Sequence, residues 1–587
     1  MAKWFVSAKK ADFNDIGKKY HISPVLARII RNRDIVEEKE IEKYLHGTLA
    51  DTYDGSLLKD MDKAVSIIME KIRTGKKIRV IGDYDVDGIC AAFILKRGLL
   101  LCGAKADTVI PHRIKDGYGI NEQLIQEAYE DGVDTIVTCD NGIAAYSQIE
   151  YALSLGITCI VTDHHEVPYE MEGEEKQYFL PPAKAVIDPK QIDCPYPYKN
   201  ICGAVVAWKL VSKLWGNFTV SEENKREILE FAGIATVCDV MELLDENRII
   251  VKEALKSMSH SANVGLRALI RVHDLNPGNL SAYHIGFVLG PCFNATGRLD
   301  TAERTLELLE CKSEREAILI ASGLKQLNES RKEMTEKGVE EAILKIEAEG
   351  LDADRILVVF LPDCHESLAG IIAGRLREKY YKPAIVLTKA EDCIKGSGRS
   401  IESYSMYEEL NKCKELFLKF GGHKLAAGMS LEEKNVEKLR KTLNLNCNLT
   451  TEDMEEKIVI DVPMPLAYVT GDFLKELELL EPFGVGNPKP VFAQKNLKFL
   501  SIRIMGKNRN MAKFSVEDEN GQRFSLVLFR HLEKFLEDVG KKYGKETMDL
   551  FVSQNKNSGV KMNIIYYPSL NEYMGKHEIQ YVIQNWS

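Results

Sequence analysis

The sequence has no apolar run near the roughly 18 residues that cross a bilayer. Its opening stretch, MAKWFVSAKKADF, lacks the apolar core of a signal peptide. A membrane-spanning or exported chain is not expected, and a cytoplasmic location is. Paired CxxC motifs are missing. The 13 cysteines are scattered singly and their number is odd, which argues against a disulfide framework or a zinc ribbon and predicts reduced thiols. Positive charge is short as well: the net charge is -10. That disfavours a chain coated in basic nucleic-acid-binding surface, although a local basic groove survives a negative total. Internal repeats and low-complexity linkers are also lacking.

The 587 residues, 45% apolar and 28% charged, predict a globular chain of roughly three or four domains. Residues 1–55 form an N-terminal extension. From about residue 56 short apolar runs alternate with helical periods. KKIRVIGDYD, DTVIP, DTIVTCDNG, ITCIVTDHH and KAVIDP are predicted strands of a mostly parallel α/β sheet, and ligands of such sheets sit outside the carboxyl ends of the strands. This first α/β lobe is expected over 56–300. A helical connecting region over 301–349 follows, with a capping box at Ser313 and Glu316 and with Ile320, Leu324 and Leu327 on one face. A second α/β lobe over 350–448 opens at RILVVF. Residues 449–587 read as mostly strands (KIVIDV, LKFLSIRIM, MAKFSVED, RFSLVLF) of a small β-barrel or sandwich.

Acids and imidazoles gather at the predicted strand ends. GDYDVDG supplies Asp83, Asp85 and Asp87, TCDNG supplies Asp140, and VTDHHEVP supplies Asp163, His164 and His165. A fourth acid, Asp239, follows the apolar FAGIATVC and is grouped with these strand-end clusters. Any one of them reads as a polar turn. Together at one sheet edge they form carboxylates that repel unless cations neutralise them. Carboxylate with imidazole suits Mn²⁺, with Mg²⁺ and Zn²⁺ as competitors. Two such ions roughly 4 Å apart can share a carboxylate and generate hydroxide for phosphate-ester cleavage.

The order GDYDVDG, CDNG, TDHH and then Asp239 resembles the DHH phosphoesterase superfamily. HESLAGIIAGRL, GSGRS and FGGHKLAAG resemble its DHHA1 domain. PCFNATGRLD and LEPFGVGNPKPVF resemble its single-stranded-DNA-specific exonucleases, the latter at the start of an oligonucleotide-binding barrel. The resemblance implies two α/β lobes (DHH and DHHA1) joined by a long helix, plus an OB-like barrel.

It also implies roles. Asp85, Asp87, Asp140, His164 and Asp239 would hold two divalent ions, Mn²⁺ before Mg²⁺, with Asp140 bridging. His165 would face the scissile phosphate and Asp163 would orient its neighbours. Asp83 is either an auxiliary carboxylate or a strand-end turn residue. Arg113 and Arg298 would neutralise substrate phosphates. Ser397 and Arg399 would form an anion cradle for a terminal 5′-phosphate, with His365 nearby on the same lobe. His423 would join them or be a packed core histidine. In the β-rich tail, Lys495, Lys498, Arg503, Lys507, Arg509 and Lys513 interleave with Phe499 and Phe514, which would stack bases or fill the barrel core. Two positions depart from the pattern: Cys292 stands where arginine is common, and Cys364 where tryptophan is common.

The implied activity is 5′ to 3′ exonucleolytic hydrolysis of single-stranded DNA to 5′-mononucleotides, in recombination and repair. The implied partners are single-stranded DNA, a single-strand-binding protein and a RecQ-type helicase, with no membrane. Two other readings remain: a phosphodiesterase of nano-RNA or cyclic dinucleotides, whose shorter relatives lack the barrel, and a non-catalytic DNA-binding scaffold, which would be expected to lose metal ligands.

Overall fold

The computed structural model describes residues 2–113, 115–117, 119–173, 175–506, 509–553, 559–573 and 576–587; Lys507 lies outside them. It divides into two compact units: Thr52–Met241 with Ile249–Glu455, and Met1–Asp51 with Glu242–Arg248 and Glu456–Ser587. Among the described residues, no helix is long and apolar enough to cross a membrane.

The first unit opens with five parallel strands: β1 (Lys77–Ile81), β2 (Lys105–Val109), β3 (Thr135–Cys139), β4 (Thr158–Thr162) and β5 (Ala185–Ile187). Their spatial order is β2-β1-β3-β4-β5. Helices cover both faces, so the inner strands are buried along nearly their whole length with no alternation of exposure. Consecutive connections leave β1 on opposite sides, which makes a switch point between β1 and β3, the crevice where open α/β sheets bind ligands. Helix α1 (Val86–Leu101) leaves β1 and is buried on nearly every side.

Helices α2 (Gly203–Trp215) and α3 (Glu222–Cys238) pack on α1. The segment FAGIATVC therefore does not lead into a strand end: it is the last half of α3, and Asp239 caps that helix. Every residue from Glu227 to Thr236 is buried, so the helix shows no apolar stripe, and a short apolar run carries no period to separate helix from strand. A hairpin, Tyr169–Glu172 with Glu175–Tyr178, also follows the TDHH segment unannounced.

The connecting helix is α5 (Glu314–Ala348), which follows α4 (Gly290–Leu299). Ser313 caps α5 by accepting from the Glu316 N–H at 3.4 Å. At 35 residues it is about 50 Å long. Ala317, Ala321 and Leu324 sit in the first lobe's core, while Ala342 and Ile346 sit in the second lobe's. That second lobe holds β6 (Leu357–Phe360), β7 (Ala384–Lys389), β8 (Ile394–Arg399), β9 (Phe417–His423) and β10 (Ala426–Leu431), ordered β9-β10-β8-β7-β6. Only β6 and β7 pair in parallel. Helix α6 (Ala369–Tyr380) packs on this sheet and on α5.

The second unit is a closed barrel of β11 (Phe492–Met505), β12 (Met511–Glu517), β13 (Arg523–Leu528), β14 (Lys561–Tyr573) and β15 (Lys576–Trp586). The order is β11-β12-β13-β15-β14, and β14 returns to β11. Phe499 and Phe514 are 0% and 1% exposed and meet edge-on at 5.2 Å. They fill the core and are not stacking platforms. Lys495, Arg503, Arg509 and Lys513 are exposed. Arg503 lies directly opposite Lys513 on the neighbouring strand, a like-charge pair that an anion would relieve.

Residues 1–51 share this unit's core. Lys3–Val6 pairs in parallel with Lys457–Ile460, and Leu26, Ile30 and Leu45 pack with Phe473, Phe492 and Leu480. The segment Glu242–Arg248 is held by the LEPFGVGNP loop. The Leu243 N–H donates to Val485 O at 2.7 Å, and a Cβ on Gly486 would meet Glu242 and Leu244 at 3.2 and 3.1 Å. Arg248, 2% exposed, donates to the carbonyls of Tyr44, Leu480 and Leu479 at 3.0, 2.9 and 2.7 Å. It also lies over the Tyr44 ring at 4.0 Å. Arg248→Met removes the donor to the Tyr44 and Leu479 carbonyls, while Leu480 O keeps Asn487 Nδ2 at 2.7 Å, and is expected to cost about 2 kcal/mol in the transition that reports this unit. Chemical denaturation measures it, and a loss under about 0.5 kcal/mol would show the carbonyls finding other donors.

Candidate metal centre

The centre is built at the carboxyl ends of β1 and β3. Asp85 is the N-cap of α1, its Oδ1 accepting from the Asp87 and Gly88 N–H groups at 3.0 and 3.1 Å. Asp87, in the first turn of that helix, accepts from the Gly203 and Ala204 N–H groups at 2.6 and 2.7 Å. Its charge thus rests on the N-terminus of α2, where a carboxylate is favoured. Gly203 is required there, because a Cβ would stand 2.8 Å from the Asp140 Cβ. Asp140 follows β3 with φ +60°, a left-handed conformation that aspartate tolerates better than most residues. Asn141 fixes that turn, donating to the Ile81 and Cys139 carbonyls at 3.1 and 2.8 Å and accepting from the Ile120 N–H at 3.2 Å.

The segment after β4 separates its three side chains. Asp163 Oδ1 accepts from the His164 and His165 N–H groups at 2.8 and 3.2 Å and meets His165 Nδ1 at 2.7 Å. Its Oδ2 accepts from the Ile143 N–H at 2.9 Å. Asp163 is thereby committed to holding the turn. His164 is buried, and its Nε2 lies 3.0 Å from Asp140 Oδ1, 3.5 Å from Asp87 Oδ2 and 3.7 Å from Asp239 Oδ2. His165 is about half-exposed, with Nδ1 4.0 Å from Asp140 Oδ1.

Three overlapping groups have every ligand atom within 4.8 Å of the others: Asp83, Asp85 and Asp140; Asp87, His164 and Asp239; and Asp140, His164 and His165. Asp140 belongs to two of them. Asp83 stands among these oxygens. Among the described residues, no cysteine joins the groups. Cys90, Cys139 and Cys202 lie near enough to feel the carboxylates, and burial first, then neighbouring negative charge, raises their thiols well above the usual range.

Without a cation the cluster is electrostatically unfavourable. Burial and then the charge of Asp85 push Asp83 up to about 8. Burial and then Asp87 raise Asp85 and Asp140, and bring Asp239 to about 8. Burial holds His164 below its ordinary value, leaving it a neutral ligand. Asp163 goes the other way: burial would raise it, but the hydrogen bond and charge of His165 hold it below the carboxylate range. Burial likewise opposes the charge on His165, yet Asp163 raises it to about 9. Asp239 Oδ2 is buried with no hydrogen-bond partner. Crowded oxygens, a neutral imidazole and an unsatisfied buried oxygen are the donor set that Mn²⁺ or Mg²⁺ takes.

Asp188, at the end of β5, is an acid that the sequence reading misses. It is fully buried, accepts from the Lys190 N–H at 2.7 Å, and is raised to about 7 by burial and then by Asp163. The signal is there, since KAVIDP obeys the same strand-end rule as the other acids.

Basic residues border the centre. The Arg113 guanidinium lies 4.8 Å over the Tyr84 ring. Helix α4 packs so closely on the GDYD turn that a Cβ on Gly297 would stand 2.4 Å from Tyr84 O. The next residue, Arg298, donates to Ser367 O at 2.7 Å. Burial, then the charge of Arg113, lowers Arg298 to about 10. Arg113, Arg298 and His365 line one cavity of about 670 Å³, and His365 Nδ1 lies 2.7 Å from Ser367 Oγ. Arg399 reaches Ser397 Oγ at 2.9 Å, and both crowd the start of α6, where a Cβ on Gly370 would stand 2.8 and 2.9 Å from them. His423 is exposed, so the packed-core alternative is overturned. It shares a cross-strand row with Arg399 through Ala426. Cys292 is fully buried, 3.2 Å from His273 Nε2 and 3.6 Å from Asn328 Nδ2. Cys364, half-buried, contacts His365 O at 3.5 Å.

Family models match the same regions: the DHH family N-terminal domain over 77–236, the DHHA1 domain over 353–448 and the RecJ OB domain over 460–585. The single-stranded-DNA-specific exonuclease RecJ of Bacillus subtilis (strain 168) is 33% identical over 99% of this chain and 70% of its own length. The enzyme of that name from Escherichia coli (strain K12) is 31% identical over 96% of both chains. The crystal structure of RecJ in complex with Mn²⁺ from Thermus thermophilus superposes with a TM-score of 0.80 at 25% identity, covering 100% of this chain and 79% of that one. A crystal structure of exonuclease RecJ bound to manganese gives 0.56 at 31% identity, covering 66% of this chain and 94% of that one. Three matched domains in one order, with identity sustained along almost the whole length, leave one conclusion: the chain belongs to the RecJ family of single-stranded-DNA-specific exonucleases.

Proposed function

We propose that this chain hydrolyses single-stranded DNA from the 5′ end and releases 5′-mononucleotides in DNA recombination and repair. The observation that carries the reading is the crowding of Asp83, Asp85, Asp87, Asp140, Asp239 and His164 beside a cavity lined by Arg113 and Arg298. Two divalent ions bound there would polarise the phosphoryl group and acidify the attacking water. The chain's own residues supply the rest. Asp85, Asp87, Asp140, His164 and Asp239 are the proposed ligands, Asp140 shared between the ions and Asp83 supporting them. With Nδ1 committed to Asp163, His165 would turn Nε2 to a phosphate oxygen. Arg113 and Arg298 would neutralise the phosphates flanking the scissile bond. Ser397 and Arg399, at the start of α6, would take the terminal 5′-phosphate, where helix dipole and guanidinium act together, with His365 and His423 on the same side. The leaving group is the 3′-oxygen.

Catalysis is thus assigned to residues 56–300 and 350–448, and strand binding to 449–587, where Arg503 and Lys513 supply adjacent positive charge. A cytoplasmic setting, with a single-strand-binding protein and a RecQ-type helicase as partners, completes the proposal. End-labelled oligonucleotides, single-stranded and duplex, blocked at either end, test polarity and strand choice together. Chelated protein resupplied with Mn²⁺ is expected to shorten 5′-phosphorylated single strands only. Faster cutting of a dinucleotide than of a long strand would favour the small phosphodiesterases instead.

Asp140→Asn keeps the left-handed turn and removes one crowded charge. It is expected to lower kcat/KM by roughly a thousandfold, to leave strand binding within about twofold, and to raise the melting temperature in chelator. Wild-type cutting rates in the variant would sink its assignment as a metal ligand.

Asp83 and Asp239 also set a pH dependence. Their folded values of about 8 exceed the unfolded value of about 3.9. The folded, metal-free chain therefore binds more protons across that window, and its stability falls as pH rises through it. A bound divalent ion opposes the loss. The Mn²⁺-induced rise in melting temperature should grow between pH 5.5 and pH 8, and a constant increment across that range would contradict the carboxylate assignment.

A further inference from the structure

The strand-end rule that places the metal centre also places a lysine. Strand β5 pairs with β4 in parallel, Ile187 beside Thr162, and the Asp163 N–H donates to Ile187 O at 3.0 Å. Asp188 therefore stands next to Asp163, and DPKQ forms a tight turn. Its sequence suits the shape, with aspartate at the first position and proline at the second. The Asp188 carboxylate accepts from the Lys190 N–H at 2.7 Å, and the Gln191 N–H reaches Asp188 O at 3.4 Å. Gln191, 3% exposed, closes the turn by donating from Nε2 to Val186 O at 2.8 Å. Buried groups thus fix the backbone on which Lys190 stands.

The Lys190 side chain is 24% exposed, and its ammonium lies 3.1 Å from Glu166 Oε1. Glu166 directly follows His165 and is 86% exposed. An ion pair this open to water contributes little and exchanges readily for another anion. The ammonium therefore sits on the rim of the centre, held by a carboxylate that solvent already reaches. Burial comes first among the influences on His164, Asp188 and Asp239, and the charge of Lys190 acts on all three after it. Arg113 follows β2, which is the opposite edge strand of the same sheet. The row of strand ends carries a cation at either edge, with the carboxylates and imidazoles between. Four strand spacings separate the edges, roughly 19 Å. A ligand with one phosphate needs only one of these cations, whereas a strand that crosses the row meets both.

We propose that Lys190 is a substrate-binding residue that takes the phosphodiester next to the scissile bond on its 3′ side, with Glu166 giving way as the strand enters. The direction follows from the other cations. Arg113, Arg298 and His365 share one cavity, which puts the terminal phosphate on that side of the centre, and Lys190 stands beyond the His164 side. Lysine suits the contact, because a point charge on a flexible stem follows a backbone without reading bases. The competing role is a structural cation that only offsets the buried Asp188. The proposal rests on the exonuclease reading and adds to it a contact for the strand still to be cut.

The experiment measures binding without cutting, on the Asp140→Asn background at saturating Mn²⁺, of a labelled twelve-nucleotide single strand with a 5′-phosphate. Adding Lys190→Met is expected to weaken Kd about tenfold, the size of one charge-assisted contact. The slope of log Kd against log salt should fall by about 0.7, one phosphate fewer on a single strand. Lys190→Arg, which keeps the charge, should keep the slope. A second strand carries an uncharged methylphosphonate only at the linkage after the one to be cut. The protein with Lys190 should bind it about tenfold more weakly than the natural strand, and Lys190→Met should bind both strands equally. A merely structural lysine would lower the melting temperature and leave slope and coupling untouched, and that result overturns the proposal. If Lys190→Met does not fold, Asp188→Asn with Lys190→Gln removes the cation together with the acid it offsets and is read in the same way. Cutting by wild type is scored separately. Without it the exonuclease reading falls, while a reduced slope and the coupling would still support the strand contact at Lys190.

Discussion

Five carboxyl groups gathered in overlapping clusters around His164 and Asp140, most of them out of water, are the constraint around which the first unit is arranged. Such a cluster opposes folding, since each buried charge loses hydration and repels its neighbours. The chain offsets this with backbone donors. Asp85 is satisfied by its own helix, Asp87 by the next helix, and Asp163 by three N–H groups and an imidazole. The buried oxygen of Asp239 receives no such donor. The site is thus a place where local stability is given up for charge density, as is common where chemistry is done.

The close approaches follow from that arrangement. Asp140 and the start of α2 can be near neighbours only because residue 203 has no side chain, and α4 can lie on the GDYD turn only because residue 297 has none. These contacts bring a helix N-terminus to Asp87 and a guanidinium to the cavity from segments more than a hundred residues apart in sequence. The second lobe, joined through α5, adds Arg399 and Ser397 on β8, the central strand of a mixed sheet. One helix thus contributes to the cores of both lobes.

Much of this is legible in the sequence. The parallel strands are visible as apolar runs ending in acid, because strands buried on both faces cannot alternate. DxD, CDNG and TDHH are found by the same rule, and the three side chains of TDHH have different partners: Asp163 meets the backbone and the His165 ring, and His164 meets Asp140. Asp239 is found for a partly wrong reason. Its preceding segment is a helix enclosed on all sides, and enclosure erases the period that distinguishes helix from strand. Asp188 escapes notice although it obeys the strand-end rule. Strands β14 and β15 are missed, although they make the longest pair in the barrel. Phe499 and Phe514 look equally suited to core and to surface, because alternation gives faces but not which face is inward until closure is known.

The interleaving of the two units along the sequence has a consequence for biosynthesis. The strand Lys3–Val6 finds its partner at Lys457–Ile460, and Glu242–Arg248 waits for the loop around Gly486. A ribosome adding about 5–20 residues per second makes the first of these segments on the order of half a minute before the last. The α/β unit can condense while synthesis continues, but Lys3–Val6 cannot pair until Lys457–Ile460 has emerged. Leu26, Ile30, Tyr44 and Leu45 spend that interval without their native neighbours, so the nascent chain carries an apolar amino-terminal segment that is a natural client for a chaperone.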